Sequence, residues 1–74
     1  MNTEDVKIGA RYRHFKGGEY RVIAIAQHSE TWEEMVVYQK LYGDGKLVVR
    51  PKKMFLERVE KEGYSGPRFV CLEA

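Results

Sequence analysis

The residues of this chain that could do chemistry are its two histidines, its single cysteine and one short run of hydroxyls and carboxylates. His28, Ser29, Glu30, Thr31, Trp32, Glu33 and Glu34 follow one another directly and lead into the apolar stretch Met35 to Tyr42. A base, two hydroxyls and several carboxylates would suit hydrolysis if the base reached its nucleophile and a third group oriented the base. Contiguity argues against that use. Neighbours in an extended segment point in alternating directions, so these side chains cannot converge on one substrate atom. A structural role fits them better, with His28 hydrogen-bonded to Glu30 or to backbone and with Ser29 and Thr31 satisfying turn donors.

A metal set of His14, His28 and one of Glu30, Glu33 or Glu34 lacks compact ligand spacing. A tight hairpin between the first two strands would also hold the two histidines at distant ends of the pairing. No metal or cofactor is expected. Cys71 has no second cysteine for an internal disulfide and no histidine or basic cluster to activate it, so it reads as a structural thiol.

Recognition chemistry has more material. Arg11, Arg13, Arg21 and Arg50 lie in or next to predicted strands, where a rigid backbone holds the guanidinium fork ready for carboxylate or phosphate. Tyr12, Tyr20, Tyr38 and Tyr42 are interleaved with them, as in small barrels that stack single-stranded bases on aromatic faces. The competing structural use pairs the arginines with Glu19, Glu30, Glu34 and Asp44 and buries the tyrosine rings with their hydroxyls at the core edge. Trp32, in its polar loop, is either an exposed anchor for a partner or a lid over the core.

The elements that must position these groups follow from periodicity and turn chemistry. Residues 1–7 form a polar, frayed start. Tyr12 and His14 alternate with Arg11, Arg13 and Phe15 in a first strand, and Gly17-Gly18 makes a tight turn into a second. Glu19 to His28 is a long strand with Tyr20, Val22, Ala24, Ala26 and His28 on one face and Arg21, Ile23, Ile25 and Gln27 on the other. The two alanines suggest close packing against another layer. Ser29 to Glu34 is a loop with at most one helical turn, Met35 to Tyr42 a third strand, Gly43-Asp44-Gly45 a second hairpin turn, and Lys46 to Arg50 a fourth strand.

Pro51 ends that strand by removing a ladder donor, and a single helical turn brings Met54 and Phe55 to an open barrel end. Leu56 to Val59 is extended again, residues 61–67 are a polar glycine-rich loop, and Arg68 to Leu72 is a last short strand. The sum is mainly β: one domain over residues 1–74, a small bent antiparallel sheet closing into an SH3-like barrel of five or six short strands, with one helical turn near residues 51–55. The alternative is an open meander whose edges pair in a homodimer.

Composition bounds the function. Seventy-four residues allow a modest core worth about 3–5 kcal/mol of net stability, and the 43% hydrophobic and 12% aromatic content is enough to fold it. A net charge of +2, from 13 basic and 11 acidic residues, is far below the excess of a typical duplex-binding domain. With no signal-peptide pattern and no apolar run near 18 residues, a cytoplasmic protein with no membrane partner is expected.

As a string the chain resembles a small bacterial family of unknown function, domain-of-unknown-function number sixteen fifty-three. The matching residues are Tyr12-Arg13-His14 with Lys16-Gly17, Tyr20 with Val22, Ala26 with His28-Ser29-Glu30-Thr31, Glu34, Val36-Val37-Tyr38, Leu41-Tyr42-Gly43, Val49-Arg50-Pro51 and Met54-Phe55. Leu47 departs from the pattern, which has a tryptophan there, and so leaves a shallower aromatic surface beside Val49. The resemblance implies a compact β-rich domain and no particular activity.

These readings converge on a non-enzymatic binding or interaction module for a small polar ligand, a peptide or a single-stranded nucleic-acid segment. Its candidate ligand-binding residues are Arg13, His28, Glu30, Thr31, Tyr38 and Arg50. Arg13 and Arg50 are preferred among the arginines because each sits inside a matched motif. Two alternatives remain: a small hydrolase using His28 with a carboxylate, and a purely structural dimeric accessory protein.

Overall fold

The computed structural model describes residues 6–73. In chain order the elements are β1 (Arg11–His14), β2 (Glu19–Gln27), β3 (Glu34–Lys40), β4 (Leu47–Pro51), α1 (Lys52–Phe55), β5 (Arg58–Lys61), β6 (Tyr64–Pro67) and β7 (Phe69–Cys71). A five-stranded antiparallel sheet has the order β4-β3-β2-β1-β7, and β5 and β6 form a separate two-stranded sheet. The mainly-β expectation holds. The larger ladder ends at β4 and β7 without joining them, so its hydrogen bonds do not run round a closed ring. The first five residues of the polar start lie outside the described residues. Val6, at its end, is buried in the core, so that position is not frayed.

The β1–β2 turn forms where two glycines allow it. Gly17 has φ +110°, and the turn closes through Gly17 N–H to His14 O at 2.7 Å and His14 N–H to Gly18 O at 2.8 Å. Arg13 then stands opposite Glu19, Tyr12 opposite Tyr20 and Arg11 opposite Arg21.

The β2–β3 register slips between Val22 and Ala24, because Val22 faces Tyr38 and Ala24 already faces Val37. Ile23 is the extra residue of a β-bulge, and one extra residue inverts the facing of everything after it. The face assignment predicted for β2 therefore holds only up to Val22. Beyond it Ile25, opposite the fully buried Val36, points to the core, while Ala24 and Ala26 lie on the outer face. Their small size is not needed for core packing.

Residues 61–67, expected as a loop, are the β5–β6 hairpin. Lys61 pairs with Tyr64, leaving the two-residue turn Glu62-Gly63 with φ of 54° and 82°. Positive φ at both central positions defines a type I′ turn, in which the first of them favours asparagine. Glutamate there is strained, and its ion pair with Lys16 is a long, exposed 4.0 Å contact of little worth. Glu62→Asn is therefore expected to stabilise the domain by about 0.5–1 kcal/mol. Thermal melting checks it, through a rise of roughly 4–8 °C per kcal/mol.

The core lies between the inner face of the large sheet and α1. Tyr12, Val22, Val36, Tyr38 and Phe69 come from the sheet, and Phe55 enters from α1. The Phe55 ring stacks on Phe69 (centroids 4.1 Å apart, planes at 6°) and meets Tyr12 and Tyr38 edge-on, each at 5.3 Å. Of the two residues expected from the helical turn, Phe55 fills this space and Met54 stays exposed. Pro51 belongs to β4 as its last residue, paired opposite Met35. Among the described residues, no helix is long and apolar enough to cross a membrane.

Candidate functional site

Arg50 is the charged group that the fold treats unusually. Its position opposite Val36 puts its side chain on the inner face, at the open edge of the core. There its Nε–H donates to the Tyr38 hydroxyl at 3.1 Å, and the guanidinium lies over the Phe69 ring, 5.7 Å from the centroid. Among the described residues no carboxylate pairs with it. The arginine is thus fixed in direction by one hydrogen bond and one ring, with its Nη groups making no hydrogen bond among the described residues; that is how a planar fork is prepared for an anion.

Other groups converge on the same place. Tyr20 packs edge-on against Tyr38 (5.0 Å) and Phe69 (5.7 Å), and its hydroxyl shares a 2.7 Å hydrogen bond with that of Tyr42. Burial, with that hydrogen bond second, pushes the Tyr20 hydroxyl up to about 12 although Arg50 pulls the other way. It stays neutral at physiological pH, able to donate or accept. His14, on β1, is opposite Phe69 in the ladder and packs edge-on against its ring at 5.0 Å. Arg68, in the bend between β6 and β7, pairs with Glu57 at 3.1 Å, while its Nε is buried without a hydrogen-bond partner among the described residues.

His14 reports the local field. Burial first, then the charges of Arg50, Arg68 and Lys16, hold its imidazole below the ordinary 6.5. Its Nδ1 accepts the Lys16 N–H at 3.1 Å, a bond that protonation of Nδ1 would break. Because the folded value is depressed, the unfolded chain binds the proton more readily. The stability tied to His14 is therefore complete above about pH 6.5 and is lost as the pH falls through the folded value. Urea midpoints should fall between about pH 7 and pH 5.5, and His14→Gln should flatten that part of the profile.

The residues expected to share one site are distributed over three places. Tyr38 and Arg50 meet, as described. Arg13 is on the outer face, opposite Glu19 and paired with it at 3.3 Å. His28, Glu30 and Thr31 are in the β2–β3 loop. There His28 Nδ1 accepts the N–H groups of Glu30 (3.1 Å) and Thr31 (3.4 Å), and Thr31 Oγ1 accepts that of Glu33 (3.2 Å). His28 O takes the Trp32 N–H at 2.8 Å, and Glu33 O takes the His28 N–H at 2.8 Å. The structural use expected for His28 and Thr31 is thus in place, whereas the Ser29 hydroxyl takes no part in these bonds. Trp32 is no lid: it is 66% exposed at φ 63°.

Of the carboxylates expected to pair the arginines, Glu19 does so with Arg11 and Arg13, whereas Glu34 and Asp44 pair with Lys52 and Lys40. Arg11 contacts Glu73 at 2.8 Å and Glu19 at 4.0 Å, whereas Arg21 donates to Gly9 O at 2.7 Å. A shallow groove of about 330 Å³ between the β2–β3 loop and α1 is lined by Glu33, Glu34, Lys52, Lys53 and Leu56. Its charges already face each other, Lys52 with Glu34 at 3.2 Å and Lys53 with Glu33 at 3.9 Å. Among the described residues no three His, Cys, Asp or Glu side chains are grouped to hold a metal.

Sequence reasoning missed His14, Phe69 and Arg68 as members of the Arg50 cluster. His14 left a signal, since it shares strand parity with the buried Tyr12. Phe69 and Arg68 left none, because only the β1–β7 ladder brings the end of the chain to this edge.

The fold and site define a small mainly-β domain of two antiparallel sheets with an arginine seated on aromatic rings at the core edge. The chain belongs to the DUF1653 family, whose model, described as a protein of unknown function, matches residues 10–71. It is similar to the crystal structure of a DUF1653 protein from Bordetella bronchiseptica, with 32% identity and a TM-score of 0.79 over 93% of this chain and 90% of that one. No curated protein matches it.

Proposed function

We propose that this domain is a non-enzymatic binding module whose site is Arg50 with Tyr38 on the aromatic wall of Tyr20, Tyr42 and Phe69, and that it recognises an anionic group, carboxylate or phosphate, of a polar ligand. The observation that carries this reading is an arginine oriented by the Tyr38 hydroxyl and the Phe69 ring without a carboxylate partner among the described residues; the His14 imidazole, held down first by burial and then by the charge of Arg50, feels that arginine. Arg13, His28, Glu30 and Thr31 stand apart from it and keep their structural roles. The hydrolase alternative needs His28 positioned against a carboxylate or hydroxyl; instead its Nδ1 holds backbone N–H groups and it lies exposed on a loop. A cytoplasmic setting goes with this reading, since it keeps the lone thiol of Cys71 reduced.

The test follows the His14 imidazole by NMR during titration with inorganic phosphate and with succinate. A bound anion offsets the charge of Arg50, so the His14 pKa should rise with added anion. Arg50→Ala should weaken that response about 10- to 100-fold, the worth of a charge-assisted hydrogen-bond pair of about 1.5–3 kcal/mol. A His14 pKa indifferent to both anions, or an anion response unchanged in Arg50→Ala, would overturn the proposal.

A further inference from the structure

The large sheet ends at β4, and its register shows which backbone groups face outward. Lys40 N–H donates to Lys46 O at 3.1 Å, and the ladder continues as Gln39↔Leu47, Tyr38↔Val48, Val37↔Val49, Val36↔Arg50 and Met35↔Pro51. Hydrogen-bonded and non-hydrogen-bonded pairs alternate in an antiparallel ladder. The bond at Lys46 therefore turns the N–H and C=O of Val48 and Arg50 toward β3, and those of Leu47 and Val49 toward the open side. Pro51 falls on the open side too, where its missing donor costs the ladder nothing. The strand end that sequence chemistry assigned to Pro51 is thus made by the entry into α1.

The side chains on this edge divide by face and by charge. Leu47 and Val49 are on the outer face and more than half exposed (58% and 59%), next to Val37 on β3. On the inner face is Arg50. Neither Lys46 nor Arg50 has a carboxylate partner among the described residues, whereas nearby Lys40 is matched by Asp44 at 3.0 Å. The edge is apolar on one side and positive on the other. β7, the opposite edge, has only three residues and runs into Glu73, so it offers neither the length nor the charge. A second β4, Leu47–Pro51, would bring its own arginine to this edge and no carboxylate to meet Arg50.

We propose that β4 is the docking edge for an extended acidic peptide, which adds a strand to the sheet. Its backbone bonds to the outward N–H and C=O groups of Leu47 and Val49, its apolar side chains cover those two residues, and a carboxylate on its other face reaches Arg50 across the strand spacing of about 4.8 Å. The period of two in a strand requires acidic and apolar residues to alternate in such a partner. This names the ligand class for the Arg50 site and rests on the reading of that arginine as an anion-binding group.

The experiment uses the full chain, labelled with ¹⁵N, and a peptide of about eight alternating Glu and Val residues. Amide exchange at Leu47 and Val49 should slow markedly on saturation, while Val48 and Arg50, already bonded to β3, should change little. Methylating the peptide nitrogens that face β4 should abolish the protection, and methylating the alternate set should not. Arg50→Ala should weaken peptide binding about tenfold, corresponding to about 1.4 kcal/mol. Succinate is titrated in parallel. If succinate shifts Arg50 but the peptide leaves the Leu47 and Val49 amides unprotected, the strand-docking inference falls and the anion site stands; if neither ligand perturbs Arg50, both fall. Protection of those amides in the protein alone that grows with its concentration would assign the edge to a second copy. An oligothymidylate that displaces the peptide from Arg50 and binds more tightly would assign the site to nucleic acid. Either of these last two results also overturns the inference.

Discussion

Phe55→Ala is expected to leave the domain largely unfolded at room temperature. Phe55 is 1% exposed, stacks on Phe69 and meets Tyr12 and Tyr38 edge-on, so its removal withdraws the ring on which strands from both halves of the sheet pack. Truncating a buried phenylalanine costs about 3–5 kcal/mol in lost transfer energy and residual cavity, and a domain of this size holds only about 3–5 kcal/mol in total. The expectation is loss of the cooperative urea transition in far-UV circular dichroism. Met54→Ala, one residue away and exposed, is the control and should cost less than about 1 kcal/mol. A Phe55→Ala protein that unfolds cooperatively within 1 kcal/mol of the parent (about fivefold in the equilibrium constant) would show that α1 is not the support of this core.

The β-bulge makes the second large prediction, because it reverses what alternation alone would assign. Ile25→Ala should destabilise by about 2 kcal/mol, since Ile25 packs on the core opposite Val36 and is only partly buried, placing it at the low end of the range for such truncations. Ile23→Ala should cost under about 0.5 kcal/mol, because Ile23 is the bulged residue and is 40% exposed, as befits a surface position. Urea unfolding of the two variants measures the difference directly. Equal losses at both positions would mean that β2 continues through Ile23 without a change of face.

The origin of that reversal shows what strand periodicity can carry. The Gly17-Gly18 and Gly43–Gly45 turns, the long second strand and the helical turn ending at Phe55 are written locally, in turn chemistry and in period-two patterning. A bulge is different. Both Ile23 and Ile25 are apolar and β-branched, and only the partner strand decides which of them is extra. The β5–β6 hairpin was hidden for a similar reason: Glu62 is an unfavourable residue for a type I′ turn, so Lys61 to Pro67 has the composition of a loop and becomes a hairpin through pairing.

The candidate site divides along the same line. Tyr38 and Arg50 could be chosen from the sequence by residue type and strand placement, and their register on β3 and β4 brings them together. Arg13 has equal chemical merit, yet strand parity sends it to the other face, where Glu19 neutralises it. His28 and its neighbours form a self-satisfied loop, which local hydrogen-bonding chemistry anticipates. The contribution of Phe69 to the Arg50 site depends on a ladder that spans more than fifty residues of chain, Tyr12 to Cys71, and no local pattern encodes it.

By itself, then, the sequence determined β1 to β4 with their turns, the helical turn and the mainly-β class, because each rests on near-neighbour chemistry or composition, and its matched motifs carried the family resemblance. The tertiary structure alone decided that β7 closes against β1, that a bulge turns Ile25 inward, and that Arg50 is left without a carboxylate partner among the described residues on a wall of aromatic rings. Those outcomes depend on which distant residues share a face. In strands that is fixed by register, and register is set only when the strands pair.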